Sequence, residues 1–261
     1  MIARTFGRLL DLGSRGCERL GRILLYASAG TLRLEDLRRG SERTWQSLYA
    51  DDLEVDAGFF PVEQAIVDRF VRPTDRVFAV GCGTGRDLIA FCRRGCATTG
   101  IEPIASARAA AERGLRARHL SAVVLPGYVE DWQADGPFDV ISLLSVGSYS
   151  YIPGTERRVA MLRGAAARLA PGGRILLAFL SSSNAGRRSE RSLAIGRLVG
   201  RVCRSDWRVQ SGDQLTRVHG EPLTFTYEHY FTPAGIQAEV GRAGLTVAYV
   251  DRVSSVLVLT K

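Results

Sequence analysis

Arg76-Val77-Phe78-Ala79-Val80-Gly81-Cys82-Gly83-Thr84-Gly85-Arg86 is the stretch on which the reading of this chain turns. Val77 to Val80 is a continuous apolar run, the pattern of a short buried strand. Glycines follow at every second position, 81, 83 and 85. Asp87 to Arg94 then has the pattern of a helix that stops at Gly95. Strand, glycine loop and helix in this order open the ligand site of a doubly wound α/β fold. Glycine lets backbone come close to a ligand, and a helix N-terminus supplies unpaired N–H groups.

The glycine spacing separates cofactor classes. A dinucleotide fingerprint, G-x-G-x-x-G, needs a glycine where Arg86 stands, and a phosphate-gripping P-loop needs Gly-Lys-Ser/Thr, which is absent. G-x-G-x-G resembles motif I of the class I S-adenosylmethionine methyltransferases, usually Val-Leu-Asp-Val-Gly-Cys-Gly-Thr-Gly. The resemblance implies S-adenosylmethionine as cofactor, with contacts at Gly81, Cys82, Gly83, Gly85 and Arg86. That cofactor carries no phosphate, so the loop has to admit only an amino acid and a ribose. Ala97 to Ile101 reads as the second strand, ended by Glu102 and Pro103. A carboxylate there accepts hydrogen bonds from both ribose hydroxyls. Ala79 departs from the family, which usually has Asp or Glu two residues before the first glycine. The methionine end of the cofactor is then left to backbone groups, to Arg86 and to an N-terminal segment.

Gly127-Tyr128-Val129-Glu130-Asp131-Trp132 resembles the family's segment after strand three. The resemblance implies that Glu130 or Asp131 reads the adenine edge while Val129 packs on the ring. Capping of a helix by Asp131 is the competing reading. Phe138 to Leu144 is a fourth strand, and the loop after it, Ser145-Val146-Gly147-Ser148-Tyr149-Ser150-Tyr151, should border the reacting methyl group. Ser145 and Val146 are therefore cofactor neighbours. The loop lacks Asn/Asp-Pro-Pro-Tyr, the motif of enzymes that methylate exocyclic base amines. Leu169-Ala170-Pro171-Gly172-Gly173 before an apolar strand, Thr232-Pro233 as a helix start, and Ala243-Gly244-Leu245 near the end are also similar to the family. The implied fold is α/β, doubly wound, with a mostly parallel seven-stranded sheet, helices on both faces and the last strand reversed. Residues 1–60 would be a helical cap or lid. Residues 61–261 would be the methyltransferase domain, with a substrate-side insertion at about 181–231.

Composition bounds the partners. Apolar residues make up 46% and charged residues 24%, ordinary globular usage. The net charge is +8, and Lys261 is the only lysine among 35 basic residues. The arginines are spread along the chain without a basic run of five, so nucleic acid is the less favoured partner. Five cysteines, an odd number with no C-x-x-C, point to a reducing cytoplasm and to no zinc set. No run of 18 apolar residues predicts a membrane span, and no compact apolar stretch predicts a secretory signal.

The N-terminal fifty residues read as helical. Phe6, Leu9, Leu10, Leu12, Leu20, Ile23, Leu24 and Tyr26 make an apolar stripe broken at Gly13 and Gly16, and arginines outnumber acids. This segment suits a packed cap, a lid over the cofactor, a homodimer helix or a membrane-surface helix. Trp45, Tyr49, Phe59 and Phe60 follow, and Tyr49 or Phe60 is a candidate ligand contact. Between 181 and 231, an arginine-rich amphipathic helix is either a solvated face or a holder for an anionic acceptor group.

The implied activity is methyl transfer by in-line displacement to an O or N nucleophile of a small-molecule acceptor. His229, His219 and Glu228 are candidate bases, because histidine titrates near neutrality, and Tyr149 is a candidate acceptor contact. The competing readings are an RNA methyltransferase that uses the arginine-rich cap and, given Ala79, a non-catalytic cofactor-fold binding module.

Overall fold

The computed structural model describes residues 2–49, 55–131, 135–182, 190–218 and 220–261. Three helices precede the sheet: α1 (Ile2–Thr31), α2 (Leu34–Tyr49) and α3 (Pro61–Phe70). The alternating core follows as β1 (Arg76–Val80), α4 (Arg86–Arg93), β2 (Ala97–Glu102), α5 (Ala105–Ala117), β3 (Val123–Pro126), β4 (Phe138–Leu143), α6 (Thr155–Ala167) and β5 (Leu169–Ala178). Then come α7 (Glu190–Val202), β6 (Asp213–Arg217), β7 (Phe225–His229), α8 (Pro233–Arg242), β8 (Thr246–Asp251) and β9 (Val256–Thr260).

The main sheet has seven strands in the order β3-β2-β1-β4-β5-β9-β8. Its first five are parallel, and β9 runs antiparallel to both neighbours, so the last strand is reversed. The order reverses at β1/β4, which leaves a crevice beyond the strand C-termini at that switch point. β1 is apolar from Val77 to Val80 because both faces are covered there. Phe78 and Val80 pack toward α6 and α8 with Ile141, Leu143 and Leu177, while Val77 packs on the opposite face with Phe91, Val140 and Leu176.

Local chemistry places several boundaries. The Thr232 side chain accepts from Gly235 N at 3.0 Å and Pro233 follows it, so α8 starts with the expected cap and proline. The stretch Leu169 to Gly173 reads in sequence as a helix stop and turn. It is instead the first half of β5, accommodated by a register shift between Phe138 and Val140. α1 runs unbroken through Gly13 and Gly16, since an isolated glycine costs a helix only about 1 kcal/mol.

The N-terminal helices and the insertion share one core. Tyr26, Ala29, Leu32 and Leu37 cluster with Leu193, Trp207, Val209, Leu215, Phe225 and Tyr227. α2 crosses the β6–β7 hairpin so closely that a Cβ at Gly40 would overlap the Phe225 carbonyl. These two segments are distant in sequence and carry α2 across the mouth of the crevice.

Candidate functional site

A pocket open to solvent lies at the C-terminal ends of β1 and β2 and beneath α2. The floor is the glycine loop. Gly81, Gly83 and Gly85 all have positive φ, 64°, 53° and 100°. The loop is tied to β2, because the Gly81 and Cys82 amides both donate to Ile101 O, at 2.9 and 3.1 Å.

Glu102 ends β2 with only 3% of its surface exposed. Its Oε2 accepts from Gly83 N at 3.0 Å and its Oε1 from Ile104 N at 2.9 Å. Each oxygen keeps a lone pair, and the residue lines the cavity. Burial pushes its pKa up, against the two amides that lower it.

The wall beyond β3 is made by Gly127, Tyr128, Val129 and Glu130, with Pro103 and Ile104 beside them. Arg38 of α2 sits 4.2 Å over the Tyr128 ring and 3.3 Å from Glu130 Oε1. The Tyr128 hydroxyl donates to the Glu42 carboxylate. The wall after β4 is made by Ser145, Ser148, Tyr151, Ile152 and Pro153. Trp45 closes over it, stacked 5.8 Å from Tyr49 and edge-on 5.4 Å from Tyr151. Ser148 Oγ is buried and has no hydrogen-bond partner among the described residues, so a polar atom of the wall is left for a ligand. Glycine loop, buried carboxylate and unpartnered hydroxyl together suit an amino acid attached to a ribose.

Of the residues predicted to touch cofactor, Gly81, Glu102, Pro103, Val129, Glu130 and Ser145 line this cavity. Gly83 lies against the roof: a Cβ there would sit 2.8 Å from the Tyr49 hydroxyl. Cys82 and Gly85 turn to the fold instead, beside Gly100 and Ala111. Arg86 is not a free clamp for the methionine carboxylate. Its guanidinium reaches Glu63 at 2.9 Å and Asp87 at 2.7 Å and stacks 4.5 Å from the Phe60 ring. Phe60 itself is exposed and does not line the cavity, whereas Tyr49 does. The side chains of Asp131 and Val146, and all of His219, lie outside the described residues.

Two of the proposed acceptor-side residues are spent on the fold. His229 Nδ1 is 2.7 Å from Asp213 Oδ1, which also accepts from the Tyr227 hydroxyl at 2.7 Å. Tyr149 donates to Glu239 Oε2 at 2.7 Å, and Arg158 bonds Glu239 Oε1 at 2.7 Å. Arg158 also reaches Tyr227, which joins both groups in one buried network between α6, α8 and the hairpin. Neither His229 nor Tyr149 lines the cavity. Glu228 is one step behind the wall: Tyr151 donates to its Oε1 at 3.3 Å and Tyr230 to its Oε2 at 3.1 Å.

Sequence reasoning missed Leu37, Arg38, Ser41 and Glu42 as cavity residues. Their spacing with Trp45 and Tyr49 follows one helix face, which was a usable signal. Ala79 is buried in an apolar cluster with Leu88, Ile89, Ala111 and Leu115. It stands in register with Ser142, whose Oγ is buried without a partner among the described residues. Among the described residues no group of three or more His, Cys, Asp or Glu is placed to hold a metal. No described helix is long and apolar enough to cross a membrane.

Residues 78–175 match the model of a family described as a methyltransferase domain. No curated protein matches the chain. Solved structures share the fold at low identity. One is a SAM-dependent methyltransferase from Methanosarcina mazei, 17% identical, with a TM-score of 0.59 over 78% of this chain and 98% of that one. Another is SAM-bound CalS10, an amino pentose methyltransferase of calicheamicin biosynthesis from Micromonospora echinaspora, 19% identical, TM-score 0.52, covering 77% and 97%. A third is the sugar N-methyltransferase KedS8 from Streptoalloteichus, 18% identical, TM-score 0.52, covering 76% and 84%. The matched domain, the seven-stranded sheet with its reversed last strand and the glycine loop at its switch point agree: residues 78–175 match a methyltransferase domain, and the fold is the one that these S-adenosylmethionine-dependent methyltransferases share.

Proposed function

We propose that this chain methylates a small-molecule acceptor at an oxygen or nitrogen nucleophile. The observation that carries the reading is the roof. α2 lays Trp45 and Tyr49 over the wall after β4, against Tyr151, and makes an aromatic chamber beside the glycine loop. Such a chamber suits a compact acceptor better than a nucleic acid strand. The amino pentose and sugar acceptors in the names of two fold relatives make amino sugars the first class to screen.

In this reading Glu102 accepts from the ribose hydroxyls, Val129 and Ile104 hold the adenine ring, and Glu130 with Asp131 meets its exocyclic amine. Gly81, Gly83, Ser145, Val146 and the Ser148 hydroxyl receive the amino acid end. S-adenosylmethionine, when bound, supplies a methyl group already activated by its sulfonium. The protein's task is then to hold the acceptor nucleophile in line and to exclude water. Trp45, Tyr49 and Tyr151 do both. Tyr151, fixed by Glu228, orients the acceptor, and a neutral amine needs no base in the step itself. Free cysteines at 17, 82, 92, 96 and 203 support a reducing compartment, the cytoplasm.

Calorimetric titration with S-adenosylmethionine, its demethylated product and NAD tests the cofactor assignment. Micromolar binding of the first two and none of NAD is expected. Transfer of labelled methyl to an amino sugar panel then tests the acceptor class. Failure to bind any of the three would favour a non-catalytic module.

A further inference from the structure

The pocket is acidic in a protein that is basic. The chain carries a net charge of +8, yet Glu42, Glu102 and Glu130 line the pocket against one guanidinium, Arg38. Glu228 stands behind Tyr151, accepting from its hydroxyl at 3.3 Å and from that of Tyr230 at 3.1 Å, and no cation pairs with it among the described residues.

The aromatic rings around the site divide in the same way. Arg38 lies 4.2 Å from the centre of the Tyr128 ring and Arg86 4.5 Å from that of Phe60. Among the described residues no guanidinium lies over Trp45, Tyr49 or Tyr151. Burial first, and then the charges of Glu102 and Glu228, push the phenol pKa values of Tyr49 and Tyr151 up, so both rings stay neutral. The three rings frame a corner rather than a slot. Trp45 and Tyr49 are 29° from parallel with centres 5.8 Å apart, too close to admit a third ring, which needs about 3.5–4 Å on each side. Tyr151 meets Trp45 at 74°. A compact cation suits such a corner better than a flat acceptor does.

We infer, resting on the reading of this chamber as the acceptor side of a methyl transfer, that the acceptor is an amine whose nitrogen lies against Trp45, Tyr49 and Tyr151 and leaves as a methylated ammonium. The nitrogen lone pair forms the N–CH3 bond while the C–S bond breaks and its electron pair stays on sulfur. The positive charge passes from sulfur to nitrogen, and no proton moves in the step. The π faces, with the Glu228 carboxylate behind them, meet that charge where it arrives. A hydroxyl acceptor would end neutral and would have to lose its proton. No histidine lines the pocket among the described residues. Each lining carboxylate already has a partner: the Gly83 and Ile104 amides for Glu102, Arg38 for Glu130 and the Tyr128 hydroxyl for Glu42.

Choline and its uncharged carbon isostere, 3,3-dimethylbutan-1-ol, test the charge preference by saturation-transfer NMR on the full chain holding the demethylated cofactor. Choline should bind at least about fivefold tighter. Trp45→Leu should cut that ratio to below about twofold, with circular dichroism unchanged. Transfer of labelled methyl to matched pairs, an amine and the alcohol of the same skeleton, should favour the amine by at least about tenfold. Equal binding of the two probes, no binding of choline, an unchanged ratio in Trp45→Leu, or equal transfer to the alcohols would overturn the inference and leave methyl transfer to a small molecule standing. Failure to bind S-adenosylmethionine would remove that reading and the inference with it.

Discussion

The floor and the roof of the cavity are built from different materials. The floor is backbone: three glycines at positive φ, two amides on Ile101 and two on Glu102. The roof is side chain: Arg38, Glu42, Trp45 and Tyr49 from a helix that reaches the crevice only because α1 and α2 share a core with the β6–β7 hairpin. A backbone floor is set by local conformational needs and tolerates almost no substitution. A side-chain roof is held by many modest contacts, and its residues act on what enters rather than on whether a site exists.

Gly83→Val should break the floor and have the largest effect. A branched residue at φ 53° is strained by about 1–3 kcal/mol. Its Cβ would also sit 2.8 Å from the Tyr49 hydroxyl. S-adenosylmethionine binding should fall about a hundredfold or more by calorimetry, with circular dichroism close to that of the parent. Normal binding would show that this loop is not the cofactor floor.

Glu102→Ala should weaken the cofactor by about 1–3 kcal/mol through loss of two hydroxyl acceptors. The same carboxylate predicts a pH dependence. Burial raises its folded pKa, so the acceptor is lost as pH falls through a value above the usual glutamate range. Protonation of a group raised in this way favours the folded state, so this loss of affinity is not unfolding at Glu102. Titrations across pH should show the step in the parent and its absence in Glu102→Gln.

Ala79→Asp restores the acid usual in the family and asks whether the floor still has a place for it. The carboxyl would enter the cluster of Leu88, Ile89, Ala111 and Leu115, with Ser142 Oγ in register. Stability should drop by about 1–3 kcal/mol in urea unfolding. Tighter cofactor binding at unchanged stability would show the opposite.

The roof predictions are smaller. Trp45→Ala removes the stack on Tyr49 and the edge contact with Tyr151. The acceptor KM should rise about tenfold, with the cofactor Kd shifted by less than about twofold. Arg38→Met, which loses a half-buried ion pair with Glu130 and a contact with the Tyr128 ring, should cost about 0.5–1 kcal/mol in thermal unfolding. A roof variant that destroyed cofactor binding would erase the distinction between the two walls.

Much of the fold was legible because its signals are local. The apolar run Val77–Val80, the glycines after it, Glu102 at the end of the next strand and the Thr232-Pro233 cap all read directly as the elements observed. Less of the site was legible. Arg86 was expected at the ligand, but Glu63 of α3 and Asp87 take its guanidinium. His229 and Tyr149 were expected on the acceptor side, but Asp213 and Glu239 hold them in the core. In each case the competing partner is a side chain that only folding brings near, or one whose orientation only folding decides.

Backbone requirements are written where they occur. A positive-φ turn asks for glycine, a strand covered on both faces asks for an apolar run, and a ribose at a strand end asks for a carboxylate. From these the doubly wound sheet and the glycine loop after β1 were legible in the sequence alone. The roof and the buried network that claims His229 and Tyr149 were decided by tertiary structure. Long-range packing sets which face of a helix is covered and which charged group finds its partner first, and no local pattern carries that information.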